Sequence, residues 1–157
     1  MKLPERKLTR LPDFDYSEQN YYYVTICTHQ KRHIFWDVDK LNAMGRIAEE
    51  ELLSISDRFD GVKVDKYVIM PNHIHAIIVI GCEITEQSRL FPTLSTVIGL
   101  YKSGVSKRIH TDRPSMQIWQ KSFYDRIIRD EHAYIEVWRY IDENPVKWQF
   151  DQYWAHF

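Results

Sequence analysis

The order of elements in this chain predicts an α+β fold, a ferredoxin-like or split β-α-β sandwich with an antiparallel central sheet and helices packed on it. Three observations carry that expectation. The elements read β-α-β-β-α-β-α along 157 residues, long enough for one domain with its own core. One segment, Ala76-Ile77-Ile78-Val79-Ile80, is apolar at every position, as a strand buried on both faces must be. It is preceded by Met70-Pro71-Asn72, a turn sequence that folds it back on the strand before it.

The elements follow in order. Residues 1–20, with Pro4, Pro12 and mixed charges, read as an extended N-terminal arm. Tyr21 to Thr28 is aromatic and β-branched and reads as the first strand, with Tyr21 and Tyr23 on one face and Tyr22 on the other. His29 to Asp37 is expected to be a polar loop. Asp39 is the expected N-cap of a helix running to about Ser56, with Leu41, Met44, Ile47, Ala48, Leu52 and Ile55 at helical spacing. Gly61 to Met70 reads as the second strand, and the third runs on from the Pro-Asn turn. Gly81 to Pro92 is a loop. From Thr93 to about His110 the pattern predicts a helix, apolar at Leu94, Val97, Ile98, Tyr101 and Val105, although Gly99 and Gly104 weaken it. Ile118 to Asp125 is a short strand or extended segment. Asp130 caps a last helix reaching about Glu143, which Pro145 helps to end. Residues 146–157, with Trp148, Phe150, Tyr153, Trp154 and Phe157, read as a short aromatic C-terminal latch on the single domain 1–157.

Composition narrows the function classes. Cys27 and Cys82 stand far apart in no Cys-x-x-Cys spacing, which argues for a reducing compartment and against a thiolate zinc site. No apolar run approaches the length of a membrane span, so a cytoplasmic protein is expected. The net charge is −1, but residues 99–129 carry seven bases against two acids. That stretch is a candidate phosphate-facing side, its ordinary alternative being a solvated surface.

His73 and His75 are the most informative pair. Two apart on a strand, their side chains share a face, and two converging imidazoles are a common way to hold a divalent metal. The plainer reading makes them core histidines. The last helix offers Tyr140 and, four residues on, Asn144, whose carbonyl oxygen is a hard ligand suited to Mg²⁺ or Mn²⁺. Each also has an ordinary reading, Asn before Pro as a helix end and Tyr as core.

Three blocks together resemble a known family. They are Met70-Pro71-Asn72-His73-Ile74-His75, then Trp119-Gln120-Lys121-Ser122-Phe123-Tyr124-Asp125 with Ile128-Arg129, then Tyr140-Ile141-Asp142-Glu143-Asn144-Pro145-Val146-Lys147. In that order and spacing, over roughly residues 15–150, the chain resembles the REP-associated tyrosine transposases, single-tyrosine enzymes with a His-hydrophobic-His motif. The resemblance implies a metal-dependent endonuclease and strand transferase acting on single-stranded, hairpin-forming DNA repeats. It implies Tyr140 as nucleophile, His73, His75 and Asn144 as ligands of Mg²⁺ or Mn²⁺, and a 5′-phosphotyrosine with a free 3′-hydroxyl. Many relatives have Gln where this chain has Asn144.

Lys102, Lys107, Arg108, Arg126 and Arg129 would then track the DNA backbone. The family includes homodimers that exchange the tyrosine helix, and the short stretch after Pro145 favours that arrangement here. Two rivals stand beside this reading: a domesticated hairpin-binding module that has lost cleavage, and a metal phosphodiesterase using water, with Tyr140 structural.

Overall fold

The computed structural model describes residues 20–82 and 91–148. The expected arm, the middle of the Gly81–Pro92 loop and most of the C-terminal latch lie outside the described residues. Within them the elements are β1 (Asn20–Cys27), β2 (Trp36–Asp37), β3 (Lys40–Leu41), α1 (Ala43–Leu53), α2 (Ile55–Arg58), β4 (Val62–Ile69), β5 (His73–Ile80), α3 (Leu94–Ile109), β6 (Tyr124–Ile128) and α4 (Glu131–Glu143).

The main sheet has the order β4-β5-β1-β6, antiparallel throughout. With the small β2–β3 ribbon set aside, the sheet and α1, α3 and α4 make the split β-α-β arrangement, β5 lying between the two strands that flank the α1 crossover. The expected α+β fold is the observed one.

Strand alternation distributes the core. Tyr22, Val24, Ile26, Ile74, Ala76, Ile78 and Ile80 point to one face, where they meet Ala48 and Leu52 of α1 and Val97, Ile98, Tyr101 and Val105 of α3. Ile77 and Val79 point to the other face and pack with Val137 and Ile141 of α4. Every residue of β5 is therefore buried. Side-chain oxygens cap three helices: Asn42 Oδ1 accepts from Gly45 N, Thr93 Oγ1 from Thr96 N and Asp130 Oδ1 from Ala133 N.

Three local expectations need correction. The polar loop His29–Asp37 contains a 3-10 turn over His29–Lys31 and ends in β2. Trp36 and Asp37 pair with Leu41 and Lys40, which uses up Asp39 in the intervening turn and moves the cap of α1 to Asn42. That helix also stops at Leu53, with a separate turn Ile55–Arg58, rather than running unbroken to Ser56.

A further correction concerns the last strand, which lies at Tyr124–Ile128 rather than Ile118–Asp125. Trp119 makes only an isolated bridge to Thr28. Beyond it Lys102 Nζ donates to the carbonyls of Gln120 and Ser122, both at 2.8 Å, and Ser122 takes a left-handed φ of 70°. A ladder cannot continue through that bend, so pairing with β1 resumes only at Tyr124.

Candidate metal and nucleophile site

The turn that launches β5 is fixed from several sides. Met70 N donates to His73 O at 2.8 Å, closing the turn around Pro71 and Asn72. Thr28 N and Thr28 Oγ1 both donate to Asn72 O, and the backbone N–H groups of Ile34 and Phe35 reach Pro71 O. His73 and His75 then leave the strand on one face with ring centroids 4.5 Å apart, and neither is exposed to solvent.

Each imidazole is held through Nδ1. His73 Nδ1 lies 2.7 Å from Asn72 Oδ1, while His75 Nδ1 lies 2.9 Å from Thr25 Oγ1 and 3.0 Å from Tyr23 Oη. Thr25 sits directly opposite His75 in the β1–β5 register. Such contacts fix ring orientation and assign Nε2 as the nitrogen available to a metal. Burial pushes His75 down to about 3 and His73 well below the usual imidazole range, the latter with smaller contributions from His75, Lys31 and His33. Both rings are neutral at neutral pH, the protonation state in which imidazole ligates a cation.

The helix α4 brings up the other two candidates. Tyr140 lies in ring contact with His75, centroids 5.2 Å apart, and meets Tyr23 edge-on at 6.4 Å. Its side is 39 % exposed, so solvent and substrate can reach it. Asn144, one turn later on the same helical face, is 3 % exposed, and its Oδ1 is buried with no hydrogen bond to any described residue. A buried carbonyl left without a donor costs about 1–3 kcal/mol. The carbonyl oxygen, two neutral imidazoles and the absence of a competing donor at Asn144 fit a hard or borderline divalent cation. No group of three or more His, Cys, Asp or Glu side chains suited to a metal occurs among the described residues.

After Asn144 the chain places Trp148 beside His73, centroids 5.7 Å apart, and beside His33 at 5.4 Å. Neither Trp148 nor His33 carries a sequence signal that would assign it here. Tyr23 and Thr25 are also legible only once the β1–β5 register is known.

The five basic residues are not gathered on one surface. Lys102 is turned inward to the Gln120 and Ser122 carbonyls, and burial lowers its ammonium pKa. Arg108 bridges Glu50 at 2.7 Å and Glu51 at 3.3 Å, tying α3 to α1. Lys107 is exposed on α3, a helix packed on the sheet face opposite the histidines. Arg126 is exposed on β6 and Arg129 just beyond it. Arg126 stands opposite Tyr23 in the β1–β6 register, its guanidinium 5.7 Å from that ring.

Comparison with known proteins follows the same lines. The chain is 31 % identical to an uncharacterized protein of Haemophilus influenzae over 165 residues, covering 94 % of this chain and 92 % of the other. The two belong to one family. No protein-family profile matches the chain.

Among solved structures it is similar in fold to a REP-associated tyrosine transposase bound to a REP hairpin. That match has a TM-score of 0.59 and 15 % identity, covering 91 % of this chain and 76 % of that one. It is also similar in fold to a candidate transposase of Deinococcus radiodurans, with a TM-score of 0.53, 15 % identity, and 85 % and 95 % of the two chains covered.

Proposed function

We propose that this chain is a transposase-like, metal-dependent endonuclease and strand transferase that cuts single-stranded, hairpin-forming DNA through a covalent bond to Tyr140. The observation that carries the reading is the contact of a solvent-reachable phenol with one of two neutral, oriented imidazoles, with a buried amide oxygen one helical turn beyond that phenol and no donor for it among the described residues. The fold shared with a hairpin-bound transposase supports the choice of substrate.

His73, His75 and Asn144 would hold Mg²⁺ or Mn²⁺. When bound, such a cation acts as a Lewis acid on the scissile phosphate and fixes its orientation, an effect worth several kcal/mol. The chain's own residues supply the rest. Thr25, Tyr23 and Asn72 keep the imidazoles aimed, and β5 fixes their separation. Tyr140 Oη attacks phosphorus in line. Its bond to phosphorus forms as the bond to the 3′ oxygen breaks, the phenolic proton passes to water, and the departing 3′ oxygen takes up a proton. The product is a phosphotyrosine on the 5′ end of the downstream strand. Rejoining reverses the step with a new 3′-hydroxyl.

Tyr140 and His75 meet within one chain. Among the described residues no helix is long and apolar enough to cross a membrane.

The test is covalent capture of a 3′-labelled, hairpin-bearing oligonucleotide in Mn²⁺. Wild type should form a protein–DNA adduct that survives denaturing gels. Tyr140→Phe should form none while binding the same DNA within about twofold. An undiminished adduct in the variant would remove Tyr140 from the chemistry, and strand cleavage by wild type with no adduct would favour the water-using phosphodiesterase.

A further inference from the structure

Among the five predicted cations, Arg126 combines three features. It is on the histidine side of the sheet, because it faces Tyr23 across β1–β6 and Tyr23 shares a face with His75. It is exposed and makes no ion pair with any described residue. The ring beneath it is the one whose Oη supports His75 Nδ1 and whose edge meets Tyr140. The helix α4 packs over β4 and β5, and the sheet at Arg126 stays open to solvent.

We infer that Arg126 is the substrate-positioning cation of this site, gripping the DNA phosphate next to the one that is cut. The inference rests on the cleavage reading above but is separable from it. Its geometry follows from strand spacing. The strand β6 lies two strands from β5, roughly 10 Å at about 4.8 Å per strand. That is too far for the arginine's backbone to stand at the metal-held phosphate, and suits the neighbouring phosphate of a strand laid across β1 and β6. A guanidinium 5.7 Å from an aromatic centroid, in no ion pair with a described residue, is drawn toward the ring face yet keeps its N–H fork for a bidentate phosphate contact. Lys107, on the other layer, has no such relation to Tyr140.

The experiment is a cycle of protein and DNA changes. Single phosphates flanking the cut in the hairpin oligonucleotide are replaced one at a time by neutral methylphosphonates. Adduct formation and equilibrium binding are both measured for wild type, Arg126→Ala and Arg126→Lys. One neutral linkage next to the cut should slow capture or weaken binding by wild type about tenfold. Arg126→Ala should show that same loss on ordinary DNA and no further loss on the neutral DNA, with the salt slope of binding reduced by about one. Arg126→Lys should recover only part, since an ammonium lacks the planar fork.

Losses that multiply at every linkage would overturn the contact, as would Arg126→Ala behaving like wild type. If wild type captures no DNA at all, the cleavage reading fails, while the binding arm of the same cycle still decides Arg126.

Discussion

Asn144 concentrates the tension between stability and function in a single atom. Its Oδ1 is buried with no donor among the described residues, a cost to the fold that a cation bound as proposed would relieve. Asn144→Ala should not lower the melting temperature in chelator, and it should abolish most of the rise that Mn²⁺ is expected to give wild type. That rise corresponds to about 2.7 kcal/mol at a hundredfold excess over Kd. Equal metal-induced shifts in both proteins would exclude Asn144 as a ligand.

The histidines predict a pH response with a definite sign. Folded His75 titrates near 3 and His73 is also depressed, whereas unfolded imidazole titrates near 6.5. Below that value the unfolded chain binds protons that the folded chain refuses, so stability falls as pH falls. The loss sets in as pH falls through about 6.5, and the melting temperature should fall with it. A flat profile below that pH in chelator would contradict the burial of both rings.

At the scale of elements, α3 shows why two glycines in one helix are not equivalent. A Cβ at Gly99 meets nothing within 4 Å, so Gly99→Ala should stabilise by about 0.5–1 kcal/mol. At Gly104 the same atom would stand 2.5 Å from Glu51 Oε2, the carboxylate paired with Arg58 at 2.8 Å. Gly104→Ala should therefore destabilise by about 1–3 kcal/mol. Paired denaturation curves decide both, and opposite signs are the result to look for.

Elements set by their own periodicity were legible from sequence: β1, β4, β5, α3 and α4 lie close to where alternation and caps put them. Those set by distant contacts were not. The cap at Asn42 depends on the β2–β3 ribbon, and the start of β6 depends on a lysine from α3 holding two carbonyls. The candidate site divides the same way. His73 and His75 announce themselves by spacing, and Tyr140 and Asn144 by a helical turn within a family pattern. Tyr23 and Thr25 reach His75 across about 50 residues of chain, a relation that only the strand register reveals.

For the molecule as a whole, the three layers are unequal. Two helices cover one sheet face with a large apolar cluster, while α4 covers the other with few buried residues, chiefly Val137 and Ile141. Polar contacts at the β4 edge supplement that seat: Tyr134 Oη donates to Asp65, and Lys66 Nζ pairs with Asp142 at 2.8 Å and lies 3.8 Å above the Trp138 ring. The helix carrying Tyr140 is thus less deeply held than the sheet it covers, and its amides should exchange with deuterium well before those of β5. Comparable protection of α4 and β5 would show that the layer is bound more firmly than its buried surface allows.

The β5 strand, enclosed on both faces and paired on both edges, has a consequence for how damage spreads. The paired imidazoles ride on a strand buried at every position, so heat or denaturant should displace Tyr140 before it disturbs them. On the proposed function, a partly melted molecule would keep its paired imidazoles together and lose the phenol beside them, and with it the proposed power to cut.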